Sequence, residues 1–225
     1  MAAHRIPRSL VETRHGPARL LRSPAERPWV RLALGHGAGG GADARELRWL
    51  ATDLPAAGIE VVRVEQPWRV AGKKVASRAA VLDESWCHAL THLTDPLPLV
   101  VGGRSSGARV ACRTAVSVGA LGCLALAFPL HPPWRPEQSR LPELQATGVP
   151  TLVVQGDRDP FGAAADFVEL PDTCTVVAVI DADHEFAVRR GSPRTSVRTR
   201  ADLVSCVLRW VREIIPAATI TRRPT

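Results

Sequence analysis

From about residue 29 onward the chain alternates short apolar, β-rich runs with stretches of helical spacing, and that alternation restricts it to a sheet with helices packed on its faces. The runs at 29–34, 59–64, 97–101, 123–130, 151–154 and 174–180 are predicted strands of a mostly parallel sheet. Between them, Leu47, Leu50 and Leu54, and then Leu82, Trp86, Ala89, Leu90 and Leu93, recur at helical intervals and should pack on that sheet. A last helix is predicted over 197–215, where Leu203, Val207, Trp210, Val211 and Ile214 keep the same spacing and Pro216 stops it. The reading is one α/β domain over residues 1–225, with an arginine-rich lead-in at 1–28 and a tail at 216–225. Residues 129–150 are proline-rich and fit a loop or short cap, so little or no cap is expected over the sheet edge.

Composition narrows the class further. With 45% hydrophobic and 23% charged residues in 225, the chain has enough apolar surface for one sizeable core. Five cysteines stand singly with no C-x-x-C spacing, which argues against a disulfide framework or a zinc cluster, so no metal is expected. No apolar run approaches membrane-spanning length and the N-terminus lacks a secretory h-region, so a cytoplasmic protein without membrane contact is expected. The formal charge of +7 comes mainly from arginine near both ends: Arg5, Arg8, Arg14, Arg19, Arg22 and Arg27, then Arg189, Arg190, Arg194, Arg198 and Arg200. These lack interleaved aromatics and match no nucleic-acid motif, so a solvated face is expected and nucleic acid is not an expected partner. The oligomeric state is open.

Chemistry concentrates after the predicted strands. Gly103-Arg104-Ser105-Ser106-Gly107 follows one strand and opens a helix predicted to run to about Gly119, the setting of a nucleophile elbow. A sharp strand-to-helix turn strains the nucleophile's backbone and needs small residues two before and two after it. Ser105 meets that spacing; Ser106 does not, and is better placed to offer its backbone N–H to an oxyanion. Upstream, Gly35-His36-Gly37-Ala38-Gly39-Gly40-Gly41 follows the first buried strand and precedes a helix expected near Ala42 or Asp43. The Ala38 N–H is the candidate second oxyanion donor. Gly35, Gly37 and Gly40 also spell G-x-G-x-x-G, with Glu65 after the next strand as a candidate ribose ligand, so a dinucleotide site is a rival reading.

Two further strand ends carry a carboxylate and an imidazole. Gln155-Gly156-Asp157-Arg158-Asp159-Pro160-Phe161 follows one, and Asp181-Ala182-Asp183-His184-Glu185-Phe186 follows the next. Serine, then aspartate, then histidine is the chain order of a triad at the carboxyl edge of an α/β sheet. Asp159 is preferred to Asp157 because it leaves more loop to reach inward, and Asp181 and Asp183 read as turn residues. His36, His131, Trp134 and Arg140 are candidate substrate-pocket residues, Arg140 for a substrate carboxylate.

Five segments together, GHGAGG at 35–40, GGRSSGARVA at 102–111, FPLHPP at 128–133, VPTLVVQGDRDPFG at 149–162 and DADHEF at 181–186, resemble the dienelactone-hydrolase-like branch of the α/β-hydrolases. They are similar more narrowly to the group of small bacterial hydrolase-like proteins with Tex30-like and chromatin-complex-associated relatives. The resemblance implies a lidless or nearly lidless α/β-hydrolase core with Ser105, Asp159 and His184 as triad. The chemistry of those three residues points to a small-molecule ester or thioester as substrate, with no cofactor needed. The alternative from another class is a non-catalytic interaction protein that keeps the fold and uses a basic surface.

Overall fold

The structure, a computed structural model, describes residues 7–215; the expected tail at 216–225, the Pro216 stop and Arg5 lie outside the described residues. The strands are β1 (Arg8–Val11), β2 (Ala18–Ser23), β3 (Val30–Gly35), β4 (Ile59–Glu65), β5 (Leu99–Arg104), β6 (Gly122–Leu126), β7 (Thr151–Gly156) and β8 (Cys174–Val179). The helices are α1 (Arg45–Asp53), α2 (Pro67–Val70), α3 (Ala79–Leu90), α4 (Ser106–Thr114), α5 (Leu141–Gln145) and α6 (Ser196–Ile214). All eight strands join one sheet in the order β1-β2-β4-β3-β5-β6-β7-β8. From β4 to β8 the pairings are parallel, while β1 with β2 and β2 with β4 are antiparallel.

The lead-in is therefore partly sheet. Ala18, Leu20 and Leu21 are buried on β2, while Arg19 pairs with Glu65 and Arg22 reaches Glu60 across to β4. Arginines between the apolar residues hide this strand from a reading based on apolar runs. The cross-strand carboxylates are what let those arginines lie along a sheet. The run at 123–130 is strand only to Leu126, because Ala127 turns to φ 44°. The helix after Ser105 ends at Thr114, short of Gly119.

Apolar side chains cover both sheet faces. On one, α1 and α6 bring Leu47, Leu50, Leu203, Val207 and Trp210 onto Leu32, Leu34, Val61, Leu124 and Val154. On the other, α3 and α4 bring Leu82, Trp86, Ala89, Ala108 and Ala111 onto Ala33, Val62, Val101 and Ala125. Between β3 and β5 the chain reverses the side on which new strands are added, and the crevice of such a sheet opens at the carboxyl ends of those two strands. Between β6 and β7 stands only the five-residue helix α5 with its loops, and among the described residues no helix is long and apolar enough to cross a membrane.

At that crevice three backbones meet without side chains between them. A Cβ on Gly107 would lie 2.5 Å from the carbonyl of Gly35, and one on Gly103 would lie 2.6 Å from the Gly107 carbonyl carbon and 2.7 Å from the Gly35 oxygen. Main chain cannot move aside as a side-chain tip can, so Gly103→Ala and Gly107→Ala should each cost about 1–3 kcal/mol or more. Urea denaturation checks this; an unchanged midpoint for both would show that the contact does not constrain the fold.

Candidate active site

Ser105 occupies the turn between β5 and α4 with φ 53° and ψ −116°, a conformation that non-glycine residues adopt only under constraint. Its N–H donates to Leu126 O at 2.9 Å, tying the turn to β6. His184 sits in the loop after β8, and its Nε2 lies 3.1 Å from Ser105 Oγ. On the other side of the ring, Nδ1 is 2.7 Å from Asp159 Oδ2, in the loop after β7. The bonding pattern fixes the tautomer: Nδ1–H donates to the carboxylate, leaving Nε2 to accept the serine proton.

The carboxylate is fully engaged. Asp159 is 5% exposed, and besides His184 it accepts from Gln155 Nε2 (2.9 Å) and the Phe161 N–H (2.9 Å). Gln155, wholly buried at the end of β7, gives its second N–H to Gly162 O at 2.7 Å, with Phe128 O 3.2 Å from the same nitrogen, so one amide fixes the loop that carries the aspartate. Phe161 then lies against the imidazole, ring centroids 4.3 Å apart. Asp157, by contrast, is exposed and makes no contact with His184. Asp181 pairs with Arg189, and Asp183 accepts the N–H groups of Glu185 and Ala187, both serving the turn as expected.

Ser105 and His184 open onto a cleft of about 550 Å³ whose walls include Ala38, Gly39, Gly40, Phe161 and four arginines, Arg45, Arg104, Arg109 and Arg140. Among the described residues the backbone N–H groups of Ala38 and Ser106 have no protein acceptor. The Ser106 N–H is also the first of helix α4, where the helix dipole favours an anion.

The sequence profile described as Alpha/beta hydrolase domain matches residues 28–212. The chain belongs to the α/β-hydrolase family. Solved structures of low identity share the fold. A lid-less α/β serine hydrolase from Xanthomonas campestris has a TM-score of 0.69 at 21% identity over 96% of this chain and 98% of its own. A dienelactone hydrolase from Anabaena variabilis has 0.70 at 17% over 95% and 100%, and an α/β serine hydrolase homologue from Coxiella burnetii has 0.70 at 18% over 89% and 97%. No curated protein matches the chain.

In this α/β-hydrolase the remaining pocket candidates fall differently. Arg140 lines the cleft, whereas His131 turns its Nδ1 to Pro132 O and Trp134 is 91% exposed, both away from it. The proline-rich segment carrying them makes a surface loop, because Arg140 Nη1 and N–H bond back to Pro129 O and Leu130 O and hold it off the opening. The dinucleotide reading is not favoured: α1 begins at Arg45, beyond the glycines instead of among them, and the candidate ribose ligand Glu65 is engaged by Arg19. Glu46 lay outside every motif, and Arg104 and Gln155 stood inside motif segments at positions to which the sequence assigned no role. For Gln155 the one available signal was a polar residue closing an otherwise apolar strand.

His36 supports the glycine loop from behind and is not among the residues lining the cleft. It is 4% exposed and packs beside Trp68; its Nδ1–H donates to Gly37 O at 2.9 Å and its Nε2 accepts the Gln66 N–H at 3.1 Å. Burial holds its pKa below the ordinary imidazole value, and the accepting Nε2 has no room for a second proton. The unfolded chain therefore binds that proton more readily, and stability present above about pH 6.5 is lost as pH falls through the native value. Thermal melts from about pH 7.5 to 5.5 should show wild type losing more stability than His36→Gln. Equal slopes would contradict this assignment.

Proposed function

We propose that the protein is a serine hydrolase that cleaves an ester or thioester of a small acyl substrate through an acyl-enzyme. The observation that carries this reading is the unbroken relay from Ser105 Oγ through His184 to Asp159, at 3.1 and 2.7 Å, opening on a cleft. Ser105 Oγ attacks the acyl carbon while His184 Nε2 takes its proton. The tetrahedral oxyanion is met by the N–H groups of Ala38 and Ser106. Collapse expels the alcohol or thiol, protonated by His184, and a water molecule deprotonated by the same nitrogen then releases the acid. Asp159 keeps the imidazole in the working tautomer and offsets its charge when protonated. No cofactor enters any step.

Arg140 gives the cleft its preference. Among the described residues its guanidinium donates to Pro129 O and pairs with no carboxylate, and burial together with Arg109 outweighs Glu143 and keeps its pKa below the usual guanidinium value. An acyl group carrying a carboxylate supplies the missing counter-charge.

Hydrolysis of a panel of p-nitrophenyl esters tests both parts. Ser105→Ala, His184→Ala and Asp159→Asn should each lower kcat by about 10⁴ or more, and Asp157→Asn should not. A folded wild type that hydrolyses no activated ester overturns the enzymatic reading. Arg140→Ala should raise KM about tenfold for esters with a terminal carboxylate and leave the neutral ones unchanged; an equal effect on both classes removes the anion preference.

A further inference from the structure

One guanidinium links the serine's strand to the glycine loop and the histidine loop of the cleft. Arg104 precedes Ser105 as the last residue of β5 and is 8% exposed. Its Nε lies 2.8 Å from Glu46 Oε1 on α1, and Glu46 itself is 1% exposed. Its Nη2 donates to the backbone carbonyl of His184 at 3.2 Å. Its Nη1 lies under the glycine loop, so close that a Cβ on Gly37 would be 2.8 Å away. The β5 strand end, α1, the oxyanion-side loop and the histidine loop thus share one planar group, with carboxylate on one edge and carbonyl on another.

We propose that Arg104, held by Glu46, is a positioning residue that sets the His184 imidazole over Ser105, and that Glu46 lets a cation do this without opposing the imidazolium. The proposal rests on the serine hydrolase reading. A neutral residue could donate to the His184 carbonyl but could not also neutralise the Glu46 carboxylate; the guanidinium does both, by charge toward Glu46 and by an N–H toward His184. A lone cation there would disfavour the imidazolium that forms in each half-reaction; the buried carboxylate cancels it. Burial holds the Glu46 carboxyl above its ordinary value against the opposing pull of Arg104, and His184 acts on it in the same direction as Arg104. The other charged groups facing the imidazole are Asp159 from the β7 loop and Glu185 beside it, with Arg45, Arg109 and Arg140 on the cleft walls.

Three variants separate positioning from mere bracing. Arg104→Lys keeps the charge but not the geometry. Arg104→Met with Glu46→Leu removes the pair together, which for a buried ion pair is often neutral for stability. Glu46→Gln removes the buried counter-charge and leaves only the exposed Glu185, 4.0 Å from Arg104 Nη2. With a p-nitrophenyl ester, the first two should lower kcat about tenfold or more with KM within about twofold. Glu46→Gln should move the acidic limb of kcat/KM to lower pH, and the His184 titration followed by imidazole NMR should move the same way. A melting-stable double variant with wild-type kcat, or Glu46→Gln with an unmoved His184 titration, overturns the proposal. If wild type hydrolyses no ester, the hydrolase reading is what fails, and the NMR titration still decides whether this pair acts on His184.

Discussion

The carboxyl end of β5 and the start of α4 press directly on the end of β3, main chain against main chain, and the rest of the site depends on that contact. It exists because Gly35, Gly103 and Gly107 have no Cβ to separate them. With the backbones this close, the strand cannot pass smoothly into the helix, and Ser105 is driven to positive φ at the top of the turn. The strain is held by the parallel pairings of β5 with β3 and β6 and by the apolar residues of α4 below. The same approach sets the glycine loop beside the helix N-terminus, so the Ala38 and Ser106 amides face the cleft that Ser105 enters.

The fold was legible where apolar runs are long and uninterrupted. The central strands are buried throughout, and each predicted run coincides with a strand to within a few residues. At the edge the signal fails, because on β2 Leu20 and Leu21 are flanked by Arg19 and Arg22, whose carboxylate partners Glu65, Glu60 and Asp95 lie more than thirty residues further on. Sequence spacing does not display a partner that arrives through the sheet. The relay residues were legible because strand ends of an α/β sheet converge on one edge, so a serine, an aspartate and a histidine following three strands were already near neighbours. Gln155, Glu46 and Arg104 were not, since their importance lies in contacts between elements and not in any local pattern.

Charge in this protein is largely internal bookkeeping between arginine and carboxylate. Arg31, only 2% exposed, is held by Glu60 and Asp95, Arg63 by Asp43, Arg113 by Asp83 and Glu143, and Arg194 by Asp202. The arginine-rich ends therefore form cross-links between strands and helices more than one cationic face. At the cleft, among the described residues, Arg140 has no carboxylate partner, while Arg104 has the buried Glu46 besides the exposed Glu185. The first leaves positive potential for a substrate; the second places a cation beneath the histidine while its partner limits the effect on the ring.

The central claim is that Ser105 is a nucleophile activated by its position. Fluorophosphonate labelling followed by peptide mass mapping measures this directly, in wild type and in His184→Ala. A single adduct on Ser105 in the folded wild type, greatly slowed without His184, is the result predicted. A folded wild type that stays unlabelled, or carries the adduct on another serine such as Ser106, would contradict it.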